Sequence, residues 1–144
     1  MPDNTSATSL IDVTLLDPKV VDVVLAFREA GFNTVASCQG HGFALYLPPF
    51  VAFKATEVDA ARLSALLRRD AESAAPRLSW GWLIDAGFDH QHRITYRLTI
   101  ENPRKPWYPW LRRRLDRDLA LLPELLKISS RDVQRGQPLP LVCA

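Results

Sequence analysis

The sequence predicts one α+β domain in which a mainly antiparallel sheet carries helices packed on one face. Residues 93–101 alternate between polar and apolar side chains, which is typical of a strand covered on one side only. Residues 18–30 and 56–73 instead gather their apolar side chains on one stripe at helical spacing. Helical and extended segments follow one another in mixed order, and this order favours an antiparallel α+β arrangement.

The first helix is expected to begin after Asp17, which can cap it, and Pro18 suits its first turn. Gly31 marks its end, because glycine readily adopts the backbone conformation found just past a helix. A short strand over 33–37 follows and leads directly into a glycine-containing loop. The stripe expected to be buried consists of Val20, Val23, Val24 and Phe27.

The middle of the chain is expected to hold extended segments and a second helix. Residues 43–47 and 50–55 favour extended structure, and the two prolines between them imply a bend or a sheet edge. Thr56 and Asp59 resemble a capping box, which opens a helix reaching about Ser73. Its apolar face is formed by Ala60, Leu63, Leu67, Ala71 and Ala74.

A hairpin and a last helix complete the predicted domain. Residues 78–84 alternate with period two, and we expect them to pair with 93–101. Residues 110–127 form the last helix, which Pro123 is expected to end or kink. The buried stripe of this helix is Leu111, Leu115, Leu119 and Leu122.

We expect the chain to divide into a disordered leader over 1–9, a single domain over 10–129 and an extended tail over 130–144. Its 144 residues, 47% of them hydrophobic, suffice for one core. Its two cysteines give no disulfide framework, and it shows neither a signal sequence nor a run long enough to span a bilayer. We therefore expect a cytoplasmic protein without a membrane partner.

The loop after the first predicted strand concentrates polar groups around glycines. In the ligand-binding interpretation, Ser37, Gln39, Gly40, His41 and Gly42 bind a small anionic or nucleotide-like molecule. The glycines let the backbone approach the ligand, and His41 titrates near neutral pH. The alternative is a structural turn in which these residues bind nothing, and the sequence does not decide between the two.

Two catalytic or metal-binding alternatives involve the same loop. Cys38 can act as a nucleophile with His41 as its base, although no third group that would orient His41 can be named. Cys38 and His41 can also bind zinc together with His90 and His92, if the two loops meet. We rank both below ligand binding and expect no metal site.

A second candidate surface combines cations and aromatic rings, as single-stranded nucleic acid favours. The formal net charge of +2 excludes a generally cationic protein but not such a local patch. In this alternative the chain is a non-enzymatic interaction protein of mobile-element type that contacts RNA, although a solvated helix start explains the segment more simply. The residues concerned are Arg104, Lys105, Trp107, Trp110, Arg113 and Arg117.

Residues 18–74 resemble the wybutosine-synthesis methyltransferase family, which carries a Thr-Ser-Ser-Cys-Ser-Gly-Arg stretch before a similar strand and helix. Thr34, Ser37, Cys38 and Gly40 match that stretch, Thr34 across a gap. The resemblance implies S-adenosylmethionine as cofactor and a role in tRNA modification. Small bacterial and phage-type proteins of unknown role also carry Ser-Cys-Gln-Gly-His, and the chain resembles them more closely. We expect a protein or enzyme that binds a nucleotide-derived ligand at this loop.

Overall fold

The computed structural model describes residues 12–40, 48–101 and 109–134, and within these ranges the side chains of all but 13, 109–111 and 128–134. Two short 3₁₀ segments, Val13–Leu15 and Pro18–Val20, precede the first helix. The remaining elements, in chain order, are α1 (Val21–Glu29), β1 (Asn33–Cys38), β2 (Phe50–Lys54), α2 (Glu57–Glu72), β3 (Trp82–Phe88), β4 (Ile94–Ile100) and α3 (Pro109–Gln134).

The four strands form one sheet in the order β1-β2-β4-β3, and every pair of neighbours is antiparallel. β2 and β3 consequently run parallel with β4 between them, and α2 makes the crossover that joins them. The register aligns Cys38 with Phe50, Phe50 with Thr99, and Thr99 with Leu83. The fold class predicted from the sequence, α+β with an antiparallel sheet, is confirmed.

The core lies between one face of the sheet and the helices. Phe53 of β2 is fully buried and contacts Phe27 of α1, with ring centroids 5.0 Å apart. Phe32, just past α1, packs edge-on against Phe53 at 5.2 Å. Side chains on one face of the sheet complete this layer, namely Val51, Trp82, Leu98 and Ile100, which are all buried.

The predicted helix boundaries hold where a local hydrogen bond enforces them. Gly31 follows α1 with a φ of 91°, and the N–H groups of Gly31 and Phe32 donate to the carbonyls of Arg28 and Phe27. These two hydrogen bonds close the helix as a Schellman motif does. At the start of α2, the Thr56 hydroxyl accepts a 3.2 Å hydrogen bond from the Asp59 N–H, as a capping residue should.

The predicted strand over 78–84 begins later than expected, at Trp82. The N–H groups of Ser79 and Trp80 donate to the buried Asp118 carboxylate, at 2.8 and 2.9 Å. The same carboxylate accepts a 2.9 Å hydrogen bond from the Trp82 indole. Because a helix side chain takes up these two backbone donors, residues 79 and 80 do not enter the ladder.

The last helix is longer than predicted, since α3 begins at Pro109 and continues past Pro123 to Gln134. Residues 130–134 of the predicted extended tail are therefore helical. Leu125 and Leu126, beyond the proline, are buried, and their packing offsets the hydrogen bond that proline cannot donate. In the described part of the chain, no helix combines the length and hydrophobicity that a membrane span requires. Residues 1–9 and the predicted strand over 43–47 lie outside the described residues.

Candidate functional site

The predicted loop leaves the sheet at the end of β1, an edge strand. Cys38 is the last residue of that strand, and Gln39 and Gly40 follow it. Gly40 is buried and has a φ of 79°, a conformation that other residues adopt only with strain. His41 and Gly42 lie outside the described residues, so their predicted roles stay predictions.

Gln39 attaches the loop to the start of the first helix. Its backbone N–H donates a 3.0 Å hydrogen bond to Asp17 Oδ2, and its side-chain Oε1 accepts one of 3.2 Å from the Lys19 N–H. Asp17, predicted to cap the helix, makes no such capping bond and instead receives the loop. The predicted ligand residue Gln39 thus joins the loop to the 3₁₀ segment before α1.

Arg112 attaches the loop to α3. Its Nη1 donates to the carbonyl oxygens of Gln39 and Gly40, at 3.0 and 2.9 Å. Asp116, one helical turn on, holds the guanidinium through an ion pair of 2.9 Å and also pairs with Lys19 at 2.8 Å. The 3₁₀ segment before α1 and helix α3, which are far apart along the chain, therefore both contact this loop.

Ser37 and Cys38 point to opposite faces of the sheet, as neighbours on a strand must. Cys38 is half-buried, and its Sγ accepts a 3.4 Å contact from the Gly40 N–H. That contact stabilises the turn. Because His41 lies outside the described residues, the Cys38–His41 nucleophile also stays a prediction.

Ser37 lines a half-open cleft between α1 and β1 that encloses about 190 Å³. Arg28 and Thr34 line the same cleft, and Arg28 Nε donates a 3.0 Å hydrogen bond to Thr34 Oγ1. The rest of the wall is apolar and comes from Leu16, Val24, Val35 and Ala36. A guanidinium beside two hydroxyls in a partly apolar wall suits a small anion-bearing molecule.

The structure separates Cys38 from the two histidines that the zinc alternative requires. His90 and His92 are exposed in the turn between β3 and β4, where His92 has a φ of 62°. Cys38 aligns, through Phe50, with Thr99, five residues along β4 from that turn, or about 17 Å at strand rise. Cys38 and the two histidines therefore lie at opposite ends of the sheet.

Asp89 organises the turn at that far end. Its Oδ1 accepts the N–H groups of Gln91 and Arg93, at 2.8 and 3.0 Å, and its Oδ2 pairs with Lys54 at 2.6 Å. The hydrogen bond from the Lys54 ammonium, followed by that from the Arg93 backbone, holds the pKa of Asp89 well below its usual range. This charge cluster supports the hairpin.

The structure divides the predicted basic surface. Arg113 and Arg117 are exposed on α3. Arg112 lies in the same basic and aromatic stretch of the sequence, but its side chain points inward and contacts the loop. Arg104, Lys105 and Trp107 lie outside the described residues, as does the side chain of Trp110.

Sequence reasoning missed Arg28, Arg112 and Asp118. The sequence offered no signal for them, because each is one charged residue on an amphipathic helix and its partner lies on another element. Arg28 lines the cleft, Arg112 holds the loop, and Asp118 anchors the segment before β3. Compared with protein-family models, curated proteins and solved structures, the chain matches none.

Proposed function

We propose that the protein binds a small, nucleotide-derived ligand in the cleft between α1 and β1, and that the cleft contacts an anionic group of that ligand. The observation that supports this is the convergence of Ser37, Thr34 and Arg28 on one half-open cleft beside the predicted loop. Guanidinium groups bind phosphate and carboxylate through paired hydrogen bonds, and hydroxyls can donate to the same oxygens. The apolar wall accepts the uncharged part of the ligand.

The size of the cleft limits the proposal. Ligand pockets usually enclose about 300–1,000 Å³, and this cleft encloses about 190 Å³. It therefore holds one end of a nucleotide-sized molecule, and the Arg28 charge favours the anionic end. The remainder of the ligand extends along the surface.

The clamped loop supports the proposal by making its neighbour Ser37 rigid. Gln39 and Gly40 are bound to Asp17, Lys19 and Arg112, so their side-chain and carbonyl groups position the end of β1. A preorganised wall costs little ordering entropy when a ligand binds. In this proposal Ser37 and the other residues of the cleft contact the ligand, and the loop holds Ser37 in position.

S-adenosylmethionine is the first cofactor to test. The resemblance to the wybutosine-synthesis family implies it, and its carboxylate and adenosine match a site with one guanidinium and an apolar wall. AMP presents a phosphate and the same nucleoside, and inorganic phosphate presents the anion alone. The three probes together separate recognition of the anion from recognition of the nucleoside.

The experiment is a thermal-shift titration of the wild type with these three probes. A ligand at 100 times its Kd stabilises the folded state by about 2.7 kcal/mol, a shift that is readily measured. Arg28→Gln and Thr34→Val should lose the shift relative to their own unliganded Tm. Arg62→Gln, on the exposed side of α2, should keep it.

Two results contradict the proposal. One is a wild type that none of the three probes stabilises, even at millimolar concentration. The other is a shift that Arg28→Gln retains in full, because the probe then binds elsewhere. A shift with AMP but not with S-adenosylmethionine would support the binding site and would exclude S-adenosylmethionine as its cofactor.

A further inference from the structure

The outward side of α3 carries three exposed arginines in its first half. Arg113 and Arg117 are four residues apart and lie on the side of the helix opposite the buried Leu115, Leu119 and Leu122. Arg114, next to them, is exposed as well. We call Arg113, Arg114 and Arg117 the arginine face.

The carboxylates nearest in sequence do not neutralise the arginine face. Asp118 is fully buried and accepts hydrogen bonds from the segment before β3. Asp116 lies on the flank of α3 that faces the loop, where it pairs with Arg112 and Lys19. Both aspartates are thus engaged on other sides of the helix.

Among the described residues, no carboxylate lies within ion-pair distance of the arginine face. The next acidic residue along the outward side is Glu124, and it pairs with Arg77 at 3.0 Å. The face is therefore a local concentration of positive charge on a protein whose formal net charge is only +2.

We propose that the arginine face binds the phosphodiester backbone of a nucleic acid. Side chains four apart on a helix have Cβ atoms about 5–6 Å apart, close enough to meet neighbouring phosphates of one strand. Guanidinium groups bind phosphate oxygens with two parallel hydrogen bonds. This binding is independent of the cleft between α1 and β1.

The composition of the face favours nucleic acid over an acidic protein. Protein interfaces depend on a few buried aromatic or aliphatic anchors. The described neighbours of the arginines on the outward side are Ala120, Leu121 and Glu124. Leu121 packs against the core, so none of the three provides such an anchor. Nucleic acid needs none, because counterion release alone supplies binding energy.

The test is fluorescence anisotropy with a labelled 20-nucleotide single-stranded RNA over a series of salt concentrations. Three phosphate contacts predict a slope of log K against log salt of about −2. Arg113→Gln/Arg117→Gln should weaken binding on the order of tenfold or more at 50 mM salt and make the slope shallower by about 1.4. Single-stranded and duplex DNA of equal length then show which nucleic acid is preferred.

A matched double variant controls for net charge. Arg62→Gln/Arg93→Gln removes the same charge from exposed positions on α2 and in the β3–β4 turn, and it should bind RNA as the wild type does. Glutamine has nearly the helix propensity of arginine, so circular dichroism and Tm should show that both variants fold.

Three outcomes overturn the proposal. The wild type does not bind RNA or DNA at 50 mM salt; the two double variants weaken binding equally; or poly-glutamate competes as well as RNA of equal charge. The last result assigns the face to an acidic protein.

Discussion

The Arg112 guanidinium donates a 2.9 Å hydrogen bond to the carbonyl oxygen of Gly40, 72 positions earlier in the chain. The same nitrogen contacts the Gln39 carbonyl at 3.0 Å, and Asp116 fixes the guanidinium from its other side. One helix side chain thus satisfies two carbonyls of a turn that has no ladder partner. The position of the loop therefore depends on α3.

Arg112→Ala should lower the free energy of unfolding by about 2 kcal/mol, because two loop carbonyls lose a charged donor. Urea denaturation measures this loss, and hydrogen exchange should show faster exchange at the amides of Gln39 and Gly40. Arg113→Ala is the matched control, since it lies in the same turn of α3 but is exposed, and it should change stability by less than about 0.5 kcal/mol. Equal effects of the two substitutions would show that Arg112 does not hold the loop.

Asp118→Ala should cost about 3 kcal/mol or more, because it leaves three N–H donors without their acceptor and each costs about 1–3 kcal/mol. The indole N–H resonance of Trp82 should shift in the NMR spectrum, since its hydrogen bond is lost. Glu124→Ala, on the exposed side of α3, should lose only the weak contribution of a surface ion pair. A Trp82 resonance that stays in place would contradict the assigned contact.

The lowered pKa of Asp89 predicts how the stability of the protein depends on pH. Its pKa is lowered in the folded state, so its contribution is present above the unfolded pKa of about 3.9 and is lost as the pH falls toward its folded value. Asp89→Asn keeps an oxygen for the turn but loses the charge that faces Lys54. It should be less stable than the wild type at pH 7, and the difference should shrink below about pH 4.

Urea denaturation of both proteins from pH 7 to pH 3 measures that difference. Asp59→Asn, which removes one negative charge from an exposed position on α2, provides the control for net charge. If the Asp89→Asn difference is constant across this range, the Lys54–Asp89 pair does not stabilise the folded state.

The glycines separate backbone strain from steric clash. Gly31→Ala should cost about 1–2 kcal/mol, because its φ of 91° is unfavourable for an L-residue. An added Cβ meets no atom within 4 Å at Gly31 or at Gly87, so sterics are equal. Gly87→Ala, in β3, should change stability by less than about 0.5 kcal/mol. Thermal unfolding of both variants tests this. Equal losses of stability would show that the positive φ of Gly31 does not account for the effect.

The site was only partly predictable because its useful residues are defined by distant partners. The loop itself could be located, since its glycines lie directly after a β-like run, and Gly40 does adopt a positive φ. Its assigned ligand residue Gln39 instead binds Asp17 and Lys19. Nothing near Gln39 in the sequence indicates those contacts, since they arise when α1 packs beside β1.

The sequence by itself determined the α+β class and those boundaries whose hydrogen bonds close within a few residues, such as the Thr56 cap and the Gly31 stop. Only the tertiary structure decided the strand order, the late start of β3 at Trp82, the continuation of α3 past Pro123, and the separation of Arg112 from the arginine face. The physical reason is the distance along the sequence between the interacting residues. Caps and periodicity depend on neighbours within a helical turn, whereas a buried carboxylate or guanidinium takes whichever partner packing brings to it.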